Sequence, residues 1–105
     1  MDQGNPFNRL TSELRAFRDE RDWAQFHSPR NLAASVSIEA AELLEIFQWS
    51  DSEPPFDSET QARLRDEIAD VAIYLLLLSD RVDVDLVDAV EQKIAKNRQR
   101  FKPSN

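Results

Sequence analysis

Apolar and polar positions divide the chain into four stretches that read as helices, separated by segments that cannot continue one. In residues 6–21, Leu10, Leu14 and Phe17 share an inner face that Arg21 extends, and Asn5-Pro6 is a start signal. A second helix is predicted from Ser28-Pro29, an N-cap followed by proline at the first helical position, to about residue 50. The segment DSEPPFD, residues 51–57, is a loop because Pro54 and Pro55 cannot continue a helix. Ser58 with Gln61 three residues on forms a capping-box pattern for a third helix over residues 58–81. After the turn VDVD, Asp85 can cap a fourth helix that ends near Phe101, before Pro103. No internal repeat or low-complexity segment interrupts this order. The expected fold class is all-α, a four-helix bundle.

Polar residues inside the second and third helices break the simple pattern. In SIEAAELLEIFQW, residues 37–49, Glu39, Glu42 and Glu45 recur every third residue within an apolar run. Glu39, Glu42, Ile46 and Trp49 stand at i, i+3, i+7 and i+10, so a continuous helix would put them on one face. The third helix repeats the arrangement with Glu67, Asp70 and Tyr74 at i, i+3 and i+7. Apolar residues flank both pairs: Ala40, Ala41, Leu43 and Leu44 around one, Ile68, Ala69, Val71 and Ala72 around the other.

Four carboxylates converging on one poorly solvated site would repel one another and bind protons. A divalent cation removes both penalties. An all-oxygen donor set suits Mg²⁺, with Mn²⁺ as a substitute. A di-iron bundle would use Glu-x-x-His pairs, and neither acidic pair has a histidine. A single E-x-x-E is common on solvated helix faces. Two such pairs, each in apolar sequence and each followed by an aromatic, favour a metal site. Glu45 is either a further ligand or a solvated carboxylate.

Composition narrows the setting. The 105 residues make one domain, 1–105. A chain this short buries about two-thirds of its unfolded surface, so oligomerisation would help it. A single glycine disfavours hairpin-rich folds, and the absence of cysteine excludes disulfides and thiolate metal sites. The formal net charge of −7 argues against nucleic-acid binding and against an anionic membrane surface. The N-terminus MDQGNPF does not resemble a signal peptide, and the run from Val71 to Leu78 is too short to span a bilayer. A soluble cytoplasmic protein is expected. The run AIYLLLLS is apolar almost all round, which calls for a subunit interface to cover it.

The pattern Glu39-Ala-Ala-Glu42, a spacer, then Glu67-Ile-Ala-Asp70 resembles the MazG-like, all-α nucleoside triphosphate pyrophosphohydrolases, marked by E-x-x-E and E-x-x-D. The stretches ERDWAQFHSPRNL, EAAELLEIFQW, DEIADVAIYLL and KIAKNRQRF look closest to the dCTP pyrophosphatase branch, and the likeness runs from about Phe7 to Phe101. The resemblance implies Mg²⁺-dependent hydrolysis of a (deoxy)nucleoside triphosphate between the α and β phosphates, in a homotetramer that is a dimer of dimers. It implies Glu39, Glu42, Glu67 and Asp70 as catalytic metal ligands. It implies Trp23, Trp49 and Tyr74 around base and sugar, and Lys93 and Asn97 at the phosphates and sugar, with Arg98 and Arg100 as weaker phosphate candidates. Leu14 departs from members that place a polar base contact on that face of the first helix, which leaves the base preference open. His27 is expected to cap or hydrogen-bond locally. Two other readings stay open: a non-catalytic acidic helical module, and the same chemistry on dUTP or a damaged base.

Overall fold

Each helix starts at a side chain able to satisfy its free amides. The computed structural model describes residues 5–49 and 53–103. Helices α1 (Pro6–Glu20), α2 (Pro29–Glu45), α3 (Ser58–Arg81) and α4 (Leu86–Arg100) follow in order, with a 3-10 turn at Ala24–Phe26. No strand occurs among the described residues, so the fold is all-α as expected. Asn5 accepts a bond from the Phe7 amide at 2.8 Å, Ser28 from Asn31 at 3.1 Å and Asp85 from Asp88 at 3.0 Å. The third cap differs from expectation. Asp57, not Ser58, accepts the Thr60 amide, at 2.7 Å, and Ser58 is the first helical residue. The capping-box pattern is one residue out of register.

Two helices end in left-handed aspartates. Asp22 has φ 55° and Asp83 φ 59°. The Trp23 amide bonds to the Arg18 carbonyl at 3.0 Å, and the Val84 amide to Ser79 at 2.8 Å. The companion bonds run from Asp22 to Asp19 and from Asp83 to Asp80. This is the Schellman pattern, normally closed by glycine, with aspartate tolerating the left-handed region instead.

α2 ends earlier than its sequence suggests. The helix stops at Glu45, and the amides of Ile46, Phe47 and Gln48 bond three residues back rather than four. Such tightened turns advance 120° per residue instead of 100°, so by Trp49 the direction has shifted by about 80°. Trp49 therefore leaves the acidic face and is 89% exposed. Phe47 packs against Phe56 across the loop, with ring centroids 6.1 Å apart.

The main packing is α2 against α3, and α1 lies along α3. α4 makes only slight contact with the other helices. The buried apolar residues are Leu32, Ile46, Leu64, Leu76 and Leu77. Each such side chain contributes about 2 kcal/mol by leaving water. Of the run AIYLLLLS, Leu76 and Leu77 are covered within the chain, while Leu75 remains partly exposed. The Cα radius of gyration is 16.8 Å, against about 13 Å for a compact domain of this length. Among the described residues, no helix is long and apolar enough to cross a membrane.

One ion pair joins two helices among the described residues. Arg15 on α1 donates through Nε to both carboxylate oxygens of Asp80 on α3, at 3.0 Å each, and its Nη2 also contacts Asp80 Oδ1. The hydrogen bond from Arg15 holds the Asp80 carboxyl below its ordinary 3.8, and the guanidinium charge adds to it. A carboxyl with a depressed folded pKa adds stability above its unfolded pKa and loses it as pH falls through the folded value. Arg15 is half-exposed, so solvent screening limits the pair to about 1 kcal/mol. Asp80→Asn is expected to lower the urea midpoint at pH 7. The gap from the wild-type protein should close as pH falls below 3.8, which paired urea titrations would measure.

Candidate functional site

The α2–α3 seam is apolar except where glutamates enter it. Glu39 on α2 and Glu67 and Asp70 on α3 are each half-buried. Each offers a carboxylate oxygen, and these three oxygens lie within 4.8 Å of one another. Glu39 Oε2 and Glu67 Oε2 are buried with no hydrogen-bond partner. Glu42, one turn along α2, is exposed and stands beside Glu39 at the edge of the cluster. Three of the four expected carboxylates thus converge tightly, and the fourth flanks them. Glu45, the last residue of α2, is exposed and outside the cluster.

The crowding is visible in proton affinity. The Glu39 carboxyl is pushed up to about 7, first by a hydrogen bond with Glu42, then by burial and by the Glu42 charge. Smaller contributions come from Glu67 and Asp70. Glu67 is also raised, by burial first and then by the Glu42 charge. Carboxylate oxygens buried without donors are costly unless a proton or a cation meets them. The donors are all hard oxygens, close enough to share one ion, and this fits a divalent metal such as Mg²⁺ or Mn²⁺.

A cavity of about 360 Å³ opens beside the cluster. Glu39 and Asp70 form one part of its wall. Trp23 and His27 come from the α1–α2 connection, Tyr74 and Leu77 from α3, and Leu14, Phe17 and Arg18 from α1. The Schellman turn after α1 places Trp23 edge-on to Phe17, with centroids 5.6 Å apart. A second cavity, about 270 Å³, lies around Arg15 and Asp80 and contains none of the cluster carboxylates.

Trp23 and Tyr74 line the same cavity as Glu39 and Asp70. Trp49 does not, because α2 ends before it. Lys93 and Asn97 lie on α4, away from this cavity wall. The main-chain amide of His27 caps the 3-10 turn, bonding to Ala24 at 3.1 Å. Its ring does not bond locally: Nδ1 is buried and without a partner. Burial, and then the charge of Arg18, push the ring pKa below 6.5, so the imidazole is neutral at pH 7.

Arg18 is the wall residue that the sequence reading passed over. It stands four residues after Leu14 on the inner face, a spacing that could have identified it. Arg21, assigned to that face instead, has its guanidinium over the Phe17 ring, 3.5 Å from the centroid, and does not line the cavity.

A pyrophosphatase from Archaeoglobus fulgidus superposes with a TM-score of 0.82 at 44% sequence identity, over 91% of this chain and 92% of that one. The chain is 48% identical to mouse dCTP pyrophosphatase 1 over 97 residues, which is 89% of this chain and 55% of that protein. For human dCTP pyrophosphatase 1 the identity is 46% over the same length. The chain thus spans about half the length of the mammalian relatives it matches. Residues 34–104 match the MazG-like family model, a span that includes Glu39, Glu42, Glu67 and Asp70. The helical order, the acidic cluster and this match agree, and the chain belongs to the MazG-like family.

Proposed function

We propose that this protein hydrolyses (deoxy)nucleoside triphosphates, with dCTP or a closely related dNTP preferred, to the monophosphate and pyrophosphate. The observation that carries this reading is the juxtaposition of two orphaned glutamate oxygens with an aromatic-walled cavity. The dCTP pyrophosphatase name of the mammalian relatives supports the reaction class. Glu39, Glu67 and Asp70 hold the cation, and Glu42 completes the acidic set from its edge. Mg²⁺, or Mn²⁺ in its place, supplies Lewis acidity to the phosphates and activates water.

The chain's own residues supply position and charge. Trp23 and Tyr74 hold base and sugar. Tyr74 against C2′ disfavours a ribose hydroxyl, which selects deoxynucleotides. Water attacks the α-phosphorus, an O–P bond forms, and the bond to the bridging oxygen breaks as pyrophosphate leaves. Glu42, exposed at the edge of the cluster, would take the water's proton in this reading, with Glu45 one turn further along α2 as the alternative.

Trp49, Lys93 and Asn97 join this site through assembly. The weak packing of α4 and the exposure of Ile38, Leu44, Ile68, Val90 and Ile94 support an assembly that covers those faces, and the proposed form is a homotetramer, a dimer of dimers. Lys93 and Asn97, at i, i+4 on α4, then reach phosphate and sugar, and Trp49 adds a stacking surface. The cytoplasm, where such triphosphates are held, is the proposed compartment.

Pyrophosphate release from a panel of dNTPs and NTPs tests the reading. Release is expected to require Mg²⁺, to be fastest with dCTP, and to fall at least a hundredfold in Glu39→Gln and Asp70→Asn. No release from any triphosphate by folded protein would reject it in favour of a non-catalytic acidic module.

A second expectation concerns pH. The raised Glu39 pKa means the metal-free fold is favoured below 4.5 and loses that contribution as pH rises through about 7. A cation must displace the Glu39 proton, so its apparent affinity should fall up to tenfold per pH unit below 7. The rise in thermal midpoint with Mg²⁺ should accordingly be larger at pH 8 than at pH 6. Glu39→Gln should flatten that difference.

A further inference from the structure

The wall of the cavity beside the acidic cluster carries both signs of charge. Glu39 and Asp70 are its carboxylates. Arg15 on α1 meets Asp80 on α3, and Arg18, one turn further along α1, lines the cavity together with Tyr74 and Leu77. From Asp70 to Leu77, α3 advances about 10 Å, room for a pentose and a base. Arg18 shares the cavity wall with Trp23 and His27 of the α1–α2 connection and with Tyr74 and Leu77 of α3.

Arg18 is poorly occupied for so covered a cation. Its side chain is 20% exposed. Its one side-chain bond among the described residues is from Nε to the neighbouring Asp19, at 2.9 Å, and Asp19 is itself exposed. Its two Nη groups have no partner among the described residues. Leu14 and Phe17, the other α1 residues on this wall, offer no side-chain polar atom. The cavity wall thus carries, besides its carboxylates, a donor-only fork among aromatic residues.

We infer that Arg18 selects the base: its guanidinium donates to O2 and N3 of a cytosine held between the aromatic walls. This rests on the nucleotide reading proposed above. O2 and N3 of cytosine are adjacent acceptors in one plane, which a guanidinium fork can meet with two bonds. Uracil and thymine carry a hydrogen on N3, so a donor would face a donor there. A buried polar group left unpaired in this way discriminates more strongly than a missing apolar contact. A lysine keeps the charge but lacks the planar fork.

The test uses binding before turnover. Dissociation constants for deoxycytidine and deoxyuridine would be measured by NMR titration of the full chain. Both ligands are uncharged, so phosphate and metal contacts do not enter. The wild-type protein should bind deoxycytidine at least tenfold more tightly. Arg18→Ala and Arg18→Lys should both weaken deoxycytidine at least tenfold and change deoxyuridine less than threefold. The lysine variant keeps the test valid should alanine disturb α1. A wild-type protein without the preference, an equal loss for both nucleosides, or a lysine variant that keeps the preference would overturn the inference. The kcat/KM ratio of dCTP to dUTP in the same proteins separates the two proposals. Base preference without pyrophosphate release keeps the role of Arg18 and removes the hydrolase reading. Release with an unchanged dCTP:dUTP ratio in both variants does the reverse.

Discussion

Two glutamate oxygens sit buried and unbonded where α2 packs on α3, and the site is organised around that fact. The same helix contact that removes leucines from water also removes Glu39 and Glu67, which cannot both stay ionised there without help. One source of help is a proton, for which the Glu39 carboxyl is pushed up to about 7, first by its hydrogen bond with Glu42. A cation would serve better, because it satisfies several oxygens at once. The seam is therefore destabilised locally in a way that binding relieves. A fold that reserves its least favourable contact for a ligand couples stability to occupancy.

The rest of the chain builds a cavity against that seam. α1 has a weakly apolar face of its own, and Arg15–Asp80 fixes where it lies on α3. The turn after α1 then decides what faces the carboxylates. Its left-handed Asp22 closes the helix and brings Trp23 against Phe17 in the cavity wall. With one glycine in the sequence, aspartates carry both left-handed positions, at Asp22 and Asp83. Each costs something in backbone strain and gains a defined exit from a helix.

Helices and caps were largely legible in the sequence, because proline, asparagine, serine and aspartate act through bonds to their immediate neighbours. Asn5-Pro6, Ser28-Pro29 and Asp85 all work as read. The acidic cluster was legible too, since i, i+3 spacing in apolar flanks survives any helix packing. What failed was continuity. Nothing between Glu45 and Pro54 forbids a helix, so the tightening at Ile46–Gln48 left no signature, and Trp49 was placed on a face it does not reach. Arg18 was passed over for a different reason. An arginine on an apolar face reads as a solvated edge residue, whereas in the fold it is largely covered and lines a cavity with Trp23 and His27 of the α1–α2 connection.

The net charge of −7 is compatible with the proposed polyanionic substrate once the charges are placed. Glu39, Glu67 and Asp70 are gathered in one cluster, and Glu39 and Asp70 share a cavity wall with Arg18. A nucleotide carrying a divalent cation on its phosphates has its positive charge where the protein is negative. Its base presents acceptor atoms where the protein is positive. The aromatic walls are indifferent to charge and suit a flat ring. A nucleotide without the cation would meet the carboxylates with its own negative charge and be repelled. On the proposed reading, the charge arrangement that makes the cluster unfavourable by itself would orient a metal-bound nucleotide and repel its metal-free form, with no basic surface required.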